Sequence, residues 1–137
     1  MKTKRHNIKI VGRVTYGNGL GHSIGFPTAN IEPAAPLEDV ADGVWAGSAQ
    51  VGDSSYVTVV NIGYRPTIAL AQGHRIEAHL IDFEGDIYGQ PISLNLHYHL
   101  RGEQKFASLA SLSEQIALDK EQALALMTTE NNNENNK

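Results

Sequence analysis

Gly17, Gly19, Gly21 and Gly25 put four glycines within nine residues, and the run ends in Gly25-Phe26-Pro27-Thr28-Ala29-Asn30. With no side chain to hold a ligand off the main chain, the amides of such a loop can close around a phosphate. Thr28 and Asn30 follow with hard oxygen atoms, the donor type that Mg²⁺ takes. The combination points to a nucleotide and magnesium. The pattern GxxxxGK followed by Ser or Thr is missing, as is GxGxxG between a strand and a helix, so neither common nucleotide-binding fold is indicated. A glycine-rich hairpin closed by a proline turn accounts for the same residues without a ligand.

Other residues with chemical capacity lie further along. Glu77 sits in Arg75 to Phe83, where Ile76, Ala78 and Leu80 alternate with Arg75, Glu77, His79 and Ile81. Alternation across a strand takes Glu77 off the most apolar face, where a glutamate is most often simply solvated. His97 and His99 share a face of a later strand, and His79 is also on a strand. A histidine metal site is conceivable there but has no clear third ligand.

The elements that must position these residues read as short strands followed by one helix. Ile8, Ile10 and Val14 line one side of a strand from Asn7 to Thr15. The segment Ile31 to Asp42, with Pro33, Pro36 and several acids, reads as irregular. Strands are expected at Gly43 to Val51 and Tyr56 to Asn61, joined by a turn at Gly52-Asp53-Ser54. Asn61-Ile62-Gly63-Tyr64-Arg65-Pro66-Thr67 cannot be a regular strand throughout, because proline lacks the amide donor. Glu84-Gly85-Asp86 reads as a turn. Ile92, Leu94, Leu96, Tyr98 and Leu100 alternate with polar residues in the clearest half-buried strand pattern of the chain. Leu109, Leu112, Ile116 and Ala123 then recur at helical spacing, with Ser111 and Glu114 resembling a capping box, so a helix to about Met127 is expected. Residues 128–137 are polar and asparagine-rich and read as a disordered tail. Strands at short spacing with one terminal helix favour a small antiparallel barrel over a parallel sheet.

Composition bounds the rest. At 137 residues the chain is one domain's worth of sequence, and the absence of cysteine excludes disulfides, thiolate metal sites and a cysteine nucleophile. Without a signal-like start or a long apolar run, a cytoplasmic protein with no membrane partner is expected. Net charge is −4, and the basic cluster Lys2, Lys4 and Arg5 lies in an N-terminal arm, so no nucleic-acid partner is expected.

Four separated segments resemble one family in order and spacing: GFPTAN at Gly25 to Asn30, NIGYRPT at Asn61 to Thr67, IEAHLIDFEGDIYGQ at Ile76 to Gln90, and LRGEQKF at Leu100 to Phe106. They are similar to the riboflavin kinase (flavokinase) family over about residues 8 to 127. The resemblance implies a six-stranded antiparallel Greek-key barrel with one C-terminal helix, which transfers the γ-phosphate of ATP to the 5′-hydroxyl of riboflavin, giving FMN and ADP. It implies Glu77 as catalytic base and Thr28 and Asn30 as holders of Mg²⁺ or another divalent cation. Gly19, Gly21, His22, Gly25, Pro27, Thr28 and Tyr88 are implied at ATP. Arg101, Phe106 and Leu109 are implied around the flavin ring, although Phe106 and Leu109 equally suit packing of the helix on the barrel. Asn61, Arg65 and Thr67 are expected to support their loop. No nucleotidyltransferase half precedes the domain in this sequence, so it reads as a stand-alone kinase, expected to be a monomer, or as an excised domain. A non-catalytic flavin- or nucleotide-binding module of the same fold is the alternative.

One position departs from the pattern. His22 stands where relatives commonly carry Arg or Lys, and a histidine loses its charge near neutral pH. His22→Arg is therefore expected to tighten ATP binding, by a factor that grows as pH rises. Titration calorimetry of both proteins between pH 6 and pH 9 checks this, and equal affinities throughout would refute it.

Overall fold

Alternation of apolar and polar side chains converts six segments into strands, seen in a computed structural model that describes residues 4–15, 28–37, 39–64 and 74–135. These strands are β1 (Ile8–Thr15), β2 (Ala29–Pro33), β3 (Gly43–Val51), β4 (Ser54–Tyr64), β5 (His74–Leu80) and β6 (Pro91–Arg101). They close into a barrel in the order β1-β2-β5-β4-β3-β6, with every neighbouring pair antiparallel. Closure leaves no free sheet edge. A single helix, α1 (Leu109–Asn135), follows the strands. The six-stranded antiparallel barrel with one C-terminal helix matches the expected fold class.

The interior is filled from every strand. Ile10 and Val14 of β1, Ile31 of β2, Trp45 and Ala49 of β3, Val60 and Ile62 of β4, Ile76, Ala78 and Leu80 of β5, and Ile92, Leu94 and Leu96 of β6 form one buried cluster. A second cluster lies between barrel and helix, where Ala46, Tyr98, Val57, Val59 and Leu100 meet Ala123, Leu126 and Met127. The helix therefore covers the outer face of β3, β4 and β6.

Four expectations change. The start of the segment read as irregular is β2, which supplies Ile31 to the core and joins β1 to β5. It is too short to show a clear period, and Pro33 looks like a breaker. Pro33 occupies the last position of the strand, where a missing amide donor is tolerated. The second change is in β6. Gly47 faces Leu96 while Ala46 faces Tyr98, and Trp45 faces His99 while Val44 faces Arg101, so His97 and Leu100 are extra residues in bulges. Ile92, Leu94 and Leu96 enter the barrel, but Tyr98 and Leu100 turn out to meet the helix.

The other two changes concern the helix. Its first turn is capped by Ser108, whose Oγ accepts from the Ser111 amide at 3.1 Å, and not by Ser111 itself. The helix also continues past Met127 to Asn135, through residues expected to form a tail. Neither Gly nor Pro occurs in 128–135 to stop it, although Met127 is the last buried side chain among those described.

Gly47 lies at the bulge, and a Cβ there would collide with the carbonyl oxygen of Asn95. Because that atom is backbone, the β3–β6 pair would have to separate locally. Gly47→Ala is expected to destabilise the fold by about 2–4 kcal/mol, at or above the usual cost of overpacking, as measured by urea denaturation.

Candidate active site

The strand registers bring together residues remote in sequence. Thr15 of β1 faces Asn30 of β2, Asn30 faces Glu77 of β5, and Glu77 faces Asn61 of β4. Directly opposed residues project from the same face with Cβ atoms about 4.5–5.5 Å apart. Ile76 and Ala78, on either side of Glu77, enter the core, so this row lies on the outside of the barrel. Glu77 is thus flanked by two asparagines from separate strands. Its side chain is 26% exposed, and Oε1 lies 3.1 Å from Arg75 Nε in an ion pair. Asn61 Oδ1 is buried without a hydrogen-bond partner, an acceptor that a donor from a ligand would satisfy.

The two ends of the row differ. β1 ends at Thr15 and β2 begins at Ala29, so the connection carrying the glycines is anchored at the end of the barrel toward which β5 runs from Glu77 to Leu80. Thr28 stands half-buried just before β2 on that side, and the Thr15 hydroxyl lies 3.4 Å from the Asn30 carbonyl oxygen. Tyr88 is there too. It is 51% exposed, its amide donates to Asp86 Oδ1 at 2.9 Å, and the next amide, of Gly89, donates to the Val14 carbonyl. The opposite end is where Tyr64 faces His74, and the segment after β6 approaches that side. Glu103 Oε1 comes within 2.7 Å of the point where a Gly63 side chain would begin. Glu77 stands between the two ends.

Arg101 holds the other side of this segment. Its Nε and Nη2 donate to Asp119 of α1 at 3.0 and 2.9 Å, and its guanidinium carbon lies 5.7 Å from the centroid of the Phe106 ring. Gln115 Nε2 donates to the same carboxylate at 3.0 Å, and Asp119 is 3% exposed. This fork joins the end of β6 to the helix and folds residues 102–106 between them. Phe106 is half-buried, whereas Leu109 is 58% exposed. Asp119 escaped the sequence reading. Its signal was an acid three residues after Ile116 and four before Ala123, on the helix's apolar stripe.

Gly19, Gly21, His22, Gly25, Pro27, Arg65 and Thr67 lie outside the described residues. His97 and His99 do not share the arrangement expected from simple alternation. Nδ1 of His97 meets the His6 carbonyl at 3.0 Å, Nε2 of His99 meets the Asp42 carbonyl at 3.0 Å, and the His99 ring packs on Trp45. Among the described residues no three His, Asp or Glu side chains form a group suited to a metal ion. No helix among them is long and apolar enough to cross a membrane.

Comparison with known proteins gives the site a context. Residues 4–127 match the family model described as Flavokinase, riboflavin kinase. The chain is 40% identical over 121 residues to the bifunctional riboflavin kinase/FMN adenylyltransferase of Pseudomonas fluorescens, covering 86% of this chain and 38% of that protein. A solved structure titled as a macrolide-efflux protein from Streptococcus pneumoniae superposes with a TM-score of 0.78 at 30% identity, over 84% of this chain and 38% of that one. Riboflavin kinase from Trypanosoma brucei shares the fold, with a TM-score of 0.63 at 24% identity over 88% of this chain and 79% of that one.

Removing one partner from the largely buried Arg101–Asp119 pair leaves the other without its counter-charge. Asp119→Ala is expected to cost about 3 kcal/mol in thermal or urea unfolding, whereas an exposed pair would cost under about 1 kcal/mol.

Proposed function

The chain belongs to the riboflavin kinase family, and on that premise we propose that it transfers the γ-phosphate of ATP to the 5′-hydroxyl of riboflavin, forming FMN and ADP. It spans 38% of the length of its Pseudomonas fluorescens relative, so the proposal concerns the kinase reaction alone. The observation that carries it is the row Asn30–Glu77–Asn61, which sets a carboxylate between two ends of one barrel face.

Phosphoryl transfer asks a protein chiefly to align two oxygens and to neutralise charge on the group in flight. Glu77 serves as base. As the ribityl oxygen bonds to the γ-phosphorus, its proton passes to the carboxylate and the bond to the ADP oxygen breaks. Gly19, Gly21 and Gly25 donate main-chain amides to the phosphates, with His22 and Pro27 in the same loop and Tyr88 bordering the nucleotide. Thr28 and Asn30 would hold a magnesium ion, whose charge would offset that of the phosphates. The donor set suits this ion, because Mg²⁺ prefers a few hard oxygen donors to an all-protein cage.

The flavin enters from the side of Glu103. Phe106 and Leu109 supply apolar surface for the ring, and the exposure of Leu109 agrees with a ligand-covered residue. Arg101 fixes Phe106 by stacking on it while bound to Asp119. Asn61 offers its unpartnered oxygen beside Glu77, as a support or as a direct acceptor. A cytoplasmic monomer acting on these two small molecules, without nucleic acid, completes the proposal.

Glu77→Gln keeps the shape and removes the base. It is expected to lower the rate of FMN formation from riboflavin and MgATP by about 10²–10⁴-fold while riboflavin still binds, as measured by chromatography and flavin fluorescence. Near-normal turnover in that variant would remove Glu77 from the reaction. Absence of FMN formation by the unaltered protein would favour a non-catalytic binding module instead.

A further inference from the structure

We propose that Arg75 is a positioning residue for Glu77, holding one carboxylate oxygen so that the other receives the substrate proton; this rests on the kinase reading above. Both residues lie on the outward face of β5, two positions apart, and Arg75 Nε reaches Glu77 Oε1 at 3.1 Å. A glutamate has three side-chain torsions to settle, and pairing with a guanidinium removes part of that freedom at the acceptor.

Gly63 of β4 faces Arg75 and has no side chain above the sheet. Glu103 Oε1, 2.7 Å from the point where a Gly63 Cβ would stand, fills that space, and Arg75 Nη2 borders it at 4.0 Å. Other groups on this face differ in kind. Asn30 and Asn61 are uncharged, His79 follows on β5, and Glu32 of β2 stands across from Arg13. Arg75 is the cation paired with Glu77 among the described residues.

Steady-state kinetics of the full chain with riboflavin and MgATP test this with Arg75→Ala, Arg75→Gln and Arg75→Lys. In Arg75→Ala and Arg75→Gln, kcat is expected to fall roughly 3–10-fold with KM for riboflavin within about twofold, a loss confined to the transition state. Arg75→Lys should recover only part of the rate, since it returns the charge without the planar fork.

An unchanged kcat overturns the inference, and so does a change in KM alone. Arg75→Gln guards against a folding defect in the alanine variant, with equal thermal midpoints as the check. Glu77→Gln separates the two levels of the proposal. If it stays active the reading of Glu77 as base fails, whereas if it is inactive and the arginine variants behave as wild type, only the role of Arg75 fails.

Discussion

Closing six strands into a small barrel divides each strand's side chains between a dry interior and an outer face, and this division governs where every polar group of the site can stand. β5 shows the consequence: Ile76, Ala78 and Leu80 complete the core, which leaves Arg75, Glu77 and His79 on the outside. Since β2 and β4 flank β5, closure also decides that Asn30 and Asn61 are the residues beside Glu77. A register slip of one residue in β5 would bury the carboxylate and expose Ile76. Core packing and placement of the proposed base are therefore one constraint.

The same constraint accounts for the helix. Most of the outer face needs no cover because it is polar, but Ala46, Val57, Val59, Tyr98 and Leu100 make an apolar patch over β3, β4 and β6. Two bulges in β6 create part of that patch by turning Tyr98 and Leu100 outward. The helix buries it with Ala123, Leu126 and Met127, and the Arg101–Asp119 fork fixes where the helix begins to lie across the barrel. Residues 102–106 are held between these two anchors, which brings Glu103 to Gly63 and Phe106 under Arg101. A segment tied at both ends yet mostly exposed between them suits a wall that adjusts around a flat ligand.

Two kinds of charge pairing serve different ends in this fold. Asp119 is buried and Arg101 half-buried; doubly hydrogen-bonded and joined by Gln115, they hold one element against another. Arg75 and Glu77 are partly exposed and lie on one strand, so their pairing adds little to stability. Its effect falls on the carboxylate itself.

Fold class, the strong strands and the terminal helix were legible in the chain because alternation and helical spacing are local properties, visible in neighbours such as Ile76-Glu77-Ala78 or Leu112 and Ile116. The motifs carrying Thr28, Asn30 and Glu77 were legible as a resemblance. What only the tertiary structure decided is non-local: that Asn30, Glu77 and Asn61 share one row, that β2 is a strand despite Pro33, that bulges divide Leu96 from Tyr98, and that Asp119 answers Arg101. Cross-strand register and inter-element ion pairs depend on how distant segments settle against one another. A sequence records which side a residue prefers, and the closed barrel determines whom it meets there.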